Sequence, residues 1–234
     1  MRERVPCLLL PGLLDDARLW HHQVASLSAL IRPVVADLTG ADSMAALAES
    51  ALDQAPAGRF VLAGLSMGGY VAMEIMRRAP ERVAALALLD TTARPDTPEA
   101  TASRRKLMAL AETDFPAVTR TLMAQLVHPE RRGDRALVQV ITSMADDIGK
   151  EAFVRQQHAI IGRVDSRPAL AGIECPVLVL CGREDAITPV EAHEEMAEVI
   201  PDAGLVVVER CGHMSTLERP EQVSGAMKKW LNSM

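Results

Sequence analysis

Short, continuously apolar runs alternate with helix-like segments along the first ninety residues. Runs of this kind, without polar alternation, are typical of strands buried on both faces of a parallel sheet. The segments that follow carry apolar residues at helical spacing, and Ser43 is a candidate N-cap for one of them. The predicted strands cover residues 5–10, 33–38, a run that starts at 60, and 83–89. This alternation predicts an α/β fold with a mostly parallel, doubly wound sheet.

The alternation stops in the middle of the chain, where helical patterns replace the strands. These patterns cover residues 103–111, 115–126, 132–148 and 151–161. Alternation then resumes with a strand at 176–182, a helix at 189–200, a strand at 204–208 and a helix at 220–231. We therefore expect a sheet of about six strands in a core made of residues 1–94 and 169–234, with an inserted helical cap at 95–168.

Composition narrows the range of partners. The chain has 234 residues, 49% of them hydrophobic, and a net charge of −6 with acids and bases interspersed. Without a basic stripe, neither nucleic-acid binding nor attraction to a membrane surface is expected, and no apolar run is long enough to span a bilayer. The four cysteines lie in or beside predicted strands and match no zinc-site spacing. Buried thiols of this kind favour a reducing, cytoplasmic compartment and no metal site.

A glycine-serine motif follows the third predicted strand. Gly64-x-Ser66-x-Gly68 lies between that strand and a helix, which is the context of a nucleophile elbow. Glycines let two backbone segments approach closely at such a turn, and the serine between them is held in a strained conformation that exposes its hydroxyl. The motif alone is short enough to occur by chance, but its position makes Ser66 the candidate nucleophile.

A serine nucleophile needs a base, and the base needs an acid beside it. Both should follow strands, because sites of parallel sheets form at the carboxyl ends of the strands. His213 comes directly after the last predicted strand and is the candidate base. Asp185 and Asp90 both end strands and compete for the role of the acid. Asp185 is preferred because one helix and one strand separate it from His213, and Asp90 is the alternate.

Acyl transfer also needs two backbone N–H groups that stabilise a developing oxyanion. Met67 is one candidate, because it follows the nucleophile at the start of a helix, where N–H groups lack partners within the helix. The other should come from the loop after the first strand, Pro11-Gly12-Leu13-Leu14, with Leu13 the expected donor.

Two features of the middle segment bear on the substrate pocket. His128 precedes a proline and could border the pocket, although a simple loop role is favoured. The methionines of this segment could form an adaptable apolar surface or fill the segment's own core. They are Met108, Met123 and Met144.

With these residues placed, the chain resembles the α/β-hydrolase superfamily, and in particular its small capped members, which include carboxylesterases, enol-lactonases and carbon–carbon bond hydrolases. The resemblance spans nearly the whole chain. It is carried by Gly64-Leu65-Ser66-Met67-Gly68-Gly69, Pro80-Glu81-Arg82-Val83, Leu88-Leu89-Asp90-Thr91, Pro176-Val177-Leu178-Val179, Gly182-Arg183-Glu184-Asp185, Gly212-His213 and Glu218-Arg219-Pro220. The resemblance implies a triad of Ser66, Asp185 and His213, an acyl-enzyme intermediate and no cofactor.

The chain departs from the family pattern in two places. Pro11-Gly12 stands where the family usually has His-Gly, and the sequence predicts no strands before residue 5 that would match the family's first two antiparallel strands. Neither departure removes a catalytic group.

The resulting hypothesis is hydrolysis of a small carboxylic ester through an acyl-Ser66 intermediate. Lactone opening, carbon–carbon bond hydrolysis, perhydrolysis and acyl transfer use the same triad on this fold and remain alternatives. A ligand receptor that keeps the fold without catalysis is a further alternative, which the presence of all three catalytic groups disfavours.

Overall fold

The computed structural model describes residues 3–234 and contains a six-stranded sheet in which every pair of neighbouring strands is parallel. The strands are β1 (Val5–Leu10), β2 (Ile31–Val35), β3 (Phe60–Leu65), β4 (Val83–Leu89), β5 (Val177–Gly182) and β6 (Ala203–Val208). They lie in the order β2-β1-β3-β4-β5-β6. The direction of strand addition therefore reverses between β1 and β3, and in open α/β sheets ligands bind at such a switch point. The predicted parallel sheet is confirmed.

One strand, β2, lies a few residues from its predicted position. It begins at Ile31 and ends at Val35, whereas the apolar run predicts residues 33–38. β2 is an edge strand, where Pro33 is tolerated because its missing N–H leaves no central ladder bond unmade. Beyond the strand, the N–H of Asp37 donates to the side chain of Gln54 at 2.8 Å, so a side chain replaces the strand ladder there.

Ten α-helices lie within residues 3–234. They are α1 (His21–Ser26), α2 (Met44–Gln54), α3 (Met67–Arg78), α4 (Pro98–Thr113), α5 (Phe115–Leu126), α6 (Arg135–Ile161), α7 (Arg167–Leu170), α8 (Val190–Val199), α9 (Ser215–Glu218) and α10 (Pro220–Ser233). Three 3₁₀ turns accompany them, at Ala17–Trp20, Pro80–Arg82 and Pro129–Arg131.

Strand side chains alternate between two apolar layers, one on each face of the sheet. Leu8 and Leu10 point into the layer that α2, α3 and α8 complete. Cys7 and Leu9 point into the opposite layer, which α1 and α10 complete. Because both faces are covered, the loops at the carboxyl ends of the strands are the part of the sheet left to build a site.

Helices α4, α5 and α6 form a helical insertion between β4 and β5, and they have a small apolar cluster of their own. Leu14, from the loop after β1, packs into this cluster with Val118 and Phe153. The predicted break at Gly149 is confirmed, since this residue interrupts α6 with φ 80° and ψ 170°. The division into core and cap at residues 95 and 168 stays a prediction.

The insertion's first helix is longer than its pattern predicts. α4 begins at Pro98 rather than at residue 103. Thr97 caps it by accepting the N–H of Ala100 at 3.2 Å, and a proline at the first helical position is preorganised for a helix. The capping signal therefore marks the start of α4 better than its apolar periodicity does.

The four cysteines, Cys7, Cys175, Cys181 and Cys211, are buried and free. Among residues 3–234, none of the helices has the length and apolar character needed to cross a membrane.

Candidate active site

Ser66 occupies a strained position at the sharp turn from β3 into α3. Its backbone angles are φ 55° and ψ −115°, a region that residues with side chains rarely adopt. A Cβ on Gly64 would lie 2.2 Å from the carbonyl oxygen of Gly68, and a Cβ on Gly68 would lie 2.2 Å from that of Leu10. Only glycine fits at either position, because neither contact is tolerable. The surrounding backbone thus fixes the turn that carries the Ser66 hydroxyl.

The side chains of Ser66, His213 and Asp185 form a continuous chain of hydrogen bonds. Ser66 Oγ lies 2.8 Å from His213 Nε2, and His213 Nδ1 lies 2.7 Å from Asp185 Oδ2. The N–H groups of Ile187 and Thr188 donate to Asp185 Oδ1 at 2.8 and 2.9 Å, and the Thr188 hydroxyl donates to Oδ2 at 2.7 Å. The carboxylate is therefore held in one orientation by the loop that carries it.

Electrostatics favour the charged forms of the buried acid and base. Burial raises the pKa of Asp185. The charge and hydrogen bond of His213, together with the hydrogen bonds from Thr188, outweigh burial and lower the pKa below its ordinary value. Burial lowers the pKa of His213, but the attraction of Asp185, then of Asp90 and Asp15, raises it above its ordinary value overall. The imidazole is consequently a stronger base than a free histidine.

Asp90, the alternate acid, lies nearby but faces other partners. It is fully buried after β4, with φ 45°. Its Oδ1 accepts the N–H of Gly182 at 3.0 Å, and its Oδ2 accepts the hydroxyl of Ser215. Burial, followed by repulsion from Asp185, raises the pKa of Asp90 well above its ordinary value. Of the two acids, the structure brings Asp185 into hydrogen-bond contact with His213.

The two residues predicted to form the oxyanion hole lie in segments next to Ser66. Met67 is the first residue of α3, and Leu13 lies in the loop after β1. Neither N–H donates to a protein acceptor within the described chain. The β1 loop is close to Ser66, since a Cβ on Gly12 would lie 3.5 Å from the Cβ of Ser66.

The insertion holds the β1 loop in place through one buried glutamine. Leu14 has φ 62°, and its N–H donates to Gln156 Oε1 at 3.1 Å. The Gln156 amide in turn donates to the carbonyl of Leu38 at 3.1 Å. The loop that begins with Pro11-Gly12 is thus fixed by α6 as well as by its own backbone.

A cavity of about 390 Å³ opens onto Ser66 and His213. This volume is in the range of small-molecule sites. The insertion contributes apolar side chains from each of its three helices, Leu107, Leu122 and Ile141. Neither here nor in the rest of the described residues is a group of three or more His, Cys, Asp or Glu side chains arranged to hold a metal ion.

The three methionines and His128 do not line this cavity. Met123 and Met144 pack in the apolar layer that α1 and α10 complete, and Met108 packs in the insertion's own cluster. His128 has a loop role: its N–H donates to Glu218 at 2.8 Å, and its Nδ1 accepts the N–H of Glu130 at 3.2 Å. Glu218 also accepts the N–H of Gly212 at 2.9 Å, so this loop supports the one that carries His213.

The sequence did not indicate that Asp15 is a buried carboxyl of this cavity. Its neighbour Asp16 caps the 3₁₀ turn Ala17–Trp20 by accepting the N–H of Arg18 at 2.8 Å. Asp15 instead lines the cavity and folds back over Gly12, where a Cβ would lie 2.5 Å from Asp15 Oδ2. Burial raises the pKa of Asp15 to about 7, although the charge of His213 opposes the shift. Its one sequence signal is its place two residues after Leu13.

Two further features were not anticipated. Three charged residues, Asp96, Arg104 and Arg163, line the cavity together. His193, on α8, is buried; its Nε2 accepts the N–H of Thr91 at 2.9 Å, and burial lowers its pKa to about 4. It supports the loop after β4 as a neutral imidazole.

Comparison with known proteins gives a consistent result. The profile of the Alpha/beta hydrolase family matches residues 7–226. A pimeloyl-[acyl-carrier protein] methyl ester esterase from Nitrosomonas europaea is 31% identical over 231 residues, covering 92% of this chain and 91% of that protein.

Solved structures agree with this match. A thermophilic esterase from Thermogutta terrifontis superposes with a TM-score of 0.88 at 32% identity, covering 98% of this chain and 90% of the other. An enol-lactonase from Burkholderia xenovorans LB400 superposes with the same TM-score at 24% identity, covering 99% and 94%, which shows the shared fold. With the profile match over most of its length, the chain belongs to the alpha/beta hydrolase family.

Proposed function

We propose that this hydrolase cleaves a small carboxylic ester through an acyl-Ser66 intermediate. The observation that carries the proposal is the unbroken chain of short contacts from Asp185 through His213 to Ser66, at the mouth of a cavity large enough for a small molecule. In the proposal, these three residues are the catalytic triad, and Asp90 is a structural carboxyl.

The reaction follows from the geometry. As Ser66 Oγ attacks the ester carbonyl, His213 Nε2 takes the hydroxyl proton, and Asp185 stabilises the resulting imidazolium. The carbonyl oxygen becomes negative and accepts hydrogen bonds from the N–H groups of Leu13 and Met67, each worth about 10²–10³ in rate. His213 then protonates the leaving alcohol. A water molecule, deprotonated by His213, releases the acid from Ser66.

The two esterases among the relatives support ester hydrolysis as the reaction. Each is more than 30% identical to this chain over nearly its whole length. Lactone opening, carbon–carbon bond hydrolysis, perhydrolysis and acyl transfer would use the same three residues, so the ester is the substrate class to test first.

The helical insertion is proposed to act as the cap over the site. Leu107, Leu122 and Ile141 bring apolar surface from three helices to the same cavity. Such a surface suits the acyl or alcohol chain of an ester, because burial of apolar area stabilises binding.

Steady-state kinetics with 4-nitrophenyl butyrate test the proposal. Ser66→Ala should lower kcat by at least about 10³, since the nucleophile acts as a unit with its base. Ser28→Ala, at an exposed turn far along the chain from the site, is the control and should retain full activity. Undiminished turnover in Ser66→Ala would remove the proposal, and failure of the wild type to react with any ester would favour a receptor.

A further inference from the structure

The cavity has a charged wall as well as an apolar one. Two arginines contribute to it: Arg104 from α4, and Arg163 from the segment that follows α6. We call them the arginine pair. Their side chains are 19% and 8% exposed, so both guanidinium groups are largely withdrawn from bulk water. A buried charge costs free energy unless it is paired, so the partners of these groups matter.

The arginine pair shares a single carboxylate. Arg104 Nε lies 2.8 Å from Asp96 Oδ2, and Arg163 Nη1 contacts Asp96 Oδ1. The Asp96 side chain is only 2% exposed. Two guanidinium groups and one carboxylate give this cluster one positive charge in excess.

The arginine pair also has unused donors. Arg104 makes one further hydrogen bond, from Nη1 to Gln157 at 3.0 Å. Arg163 donates from Nε to the carbonyl of Arg94 and from Nη1 to the carbonyl of Ile160, both at 3.0 Å. Within the described chain the Nη2 group of each arginine has no acceptor. An arginine has five N–H donors, so each member of the pair keeps N–H donors at Nη2 that a ligand in the cavity can use.

The arginine pair lines the same cavity as Ser66. Tyr70 is one helical turn after Ser66 on α3 and lines the same cavity. The guanidinium carbon of Arg163 lies 4.3 Å from the centre of the Tyr70 ring. Because Ser66, Arg104 and Arg163 all line this cavity of about 390 Å³, one small ligand with a short aliphatic chain can contact the arginine pair and Ser66 together.

We propose that the ester substrate carries a carboxylate, which the arginine pair binds while Ser66 attacks the ester group. The inference rests on the proposed function and adds a substrate class to it. A carboxylate has two oxygens, so it can accept one charge-assisted hydrogen bond from the Nη2 group of each arginine. The carboxylate belongs to either the acyl or the alcohol part of the ester, and the experiment separates the two.

Calorimetric titration of Ser66→Ala measures binding without turnover. The probes are monomethyl adipate, with the carboxylate on the acyl side, 6-acetoxyhexanoate, with it on the alcohol side, and methyl hexanoate, which is neutral. At least one anionic probe should bind about tenfold more tightly than methyl hexanoate, and which one does so identifies the side. Equal binding of all three probes would overturn the inference, whatever the variants do.

Variants then assign the preference to the arginine pair. When Arg104→Gln is combined with Ser66→Ala, the ratio of affinities for the anionic probe and methyl hexanoate should fall about tenfold. Arg163→Gln should lower this ratio by the same factor. Arg105→Gln, an exposed neighbour on α4, is the matched control and should leave the preference unchanged. If the pair only clamps Asp96 for stability, Arg104→Gln will weaken binding of neutral and anionic probes alike, and the inference is wrong.

The two proposals can fail separately. Anion-selective binding by Ser66→Ala without ester hydrolysis by the wild type would keep the arginine site and remove the esterase. Hydrolysis of 4-nitrophenyl butyrate without anion-selective binding would keep the esterase and remove the arginine site.

Discussion

The sheet edge and the helical insertion meet at one cavity, but they hold their side chains by different means. In the described chain, the non-glycine residues with positive φ are Leu14, Ser66, Asp90 and Arg210. All four lie in loops after strands, where hydrogen bonds and close glycine contacts fix the backbone. In the insertion, Gly149 has positive φ, and the cavity-facing side chains are held by packing within helices.

This difference assigns separate tasks to the two regions. Strained backbone persists only where the surroundings over-determine it, and such strain concentrates at sites of chemistry. Packed apolar side chains tolerate exchange more readily, provided volume is kept. We therefore expect changes at the sheet edge to affect the reaction itself and changes in the insertion to affect which substrate is accepted.

The largest effect should come from the acid of the triad. Asp185→Asn retains the shape but loses the charge that stabilises the His213 imidazolium, so kcat should fall by about 10³–10⁴. Asp90→Asn keeps an acceptor for the N–H of Gly182 and should cost less than about tenfold. The kcat values of both variants on 4-nitrophenyl butyrate check the comparison. A larger loss of kcat in Asp90→Asn than in Asp185→Asn would mean that Asp90 is the acid that supports His213.

A second test compares one glycine from each region. Gly68→Ala would place a Cβ 2.2 Å from backbone, so the free energy of unfolding should fall by at least about 3 kcal/mol. Gly149→Ala has open space and meets only the strain of φ 80°, which costs about 1–2 kcal/mol. Urea unfolding of both variants measures the difference. Equal losses would show that the sheet edge is no more constrained than the insertion.

A smaller, substrate-dependent effect should come from the cavity wall. Leu122→Ala removes apolar surface, so KM for 4-nitrophenyl hexanoate should rise about tenfold while kcat stays within about threefold. Met123→Ala, its neighbour outside the cavity, should leave KM unchanged. A fall in kcat equal to the rise in KM would mean that the insertion takes part in the reaction as well as in binding.

The smallest effect concerns the pH profile. In the proposed mechanism neutral His213 is the base, so kcat/KM should rise with pH through a pKa above the ordinary 6.5. The charge that Asp15 acquires near pH 7 raises the pKa of His213. Asp15→Asn should therefore move the acid limb of the profile to lower pH by a few tenths of a unit. An unchanged pKa on the acid side of the profile would show that the charge of Asp15 does not act on His213.

The same variant has a stability consequence of definite sign. The pKa of Asp15 is about 7 in the folded protein and 3.8 ordinarily, so between these values the folded state holds a proton that the unfolded state has lost. The wild type therefore loses stability as pH rises from about 4 to 7. Relative to the wild type, Asp15→Asn should gain roughly 2–4 kcal/mol in free energy of unfolding over that interval. Urea unfolding at pH 4 and pH 8 measures the gain.

Local patterns are sufficient to predict the sheet and the sharp turn that carries Ser66. Buried parallel strands are continuous apolar runs, and such runs predict all six strands. Only β2 lies a few residues from its predicted position, because an edge strand can include Pro33. Gly64 and Gly68 have a steric reason to be glycine, and their motif predicts the turn between β3 and α3 on which Ser66 lies. Position after a strand narrows the candidate acids to Asp185 and Asp90, and the order of elements before His213 favours Asp185.

The charged wall of the cavity could not be predicted in this way. Asp96 and Arg104 come from the start of the insertion and Arg163 from its end, and only the tertiary packing brings them together. An aspartate just before a helix is typical of a cap, so the residue type of Asp15 gives no sign of its buried position in the cavity. Side chains that acquire their roles through long-range contacts leave no periodic signal in the chain.

The role of Ser66 as the nucleophile is tested most directly by covalent labelling. Wild-type protein treated with a fluorophosphonate should gain one adduct per chain, located by mass spectrometry on the peptide that contains Ser66, with parallel loss of esterase activity. His213→Ala should slow the labelling by at least about 10². An active esterase that carries no label on Ser66, or that stays active once Ser66 is labelled, would contradict the account.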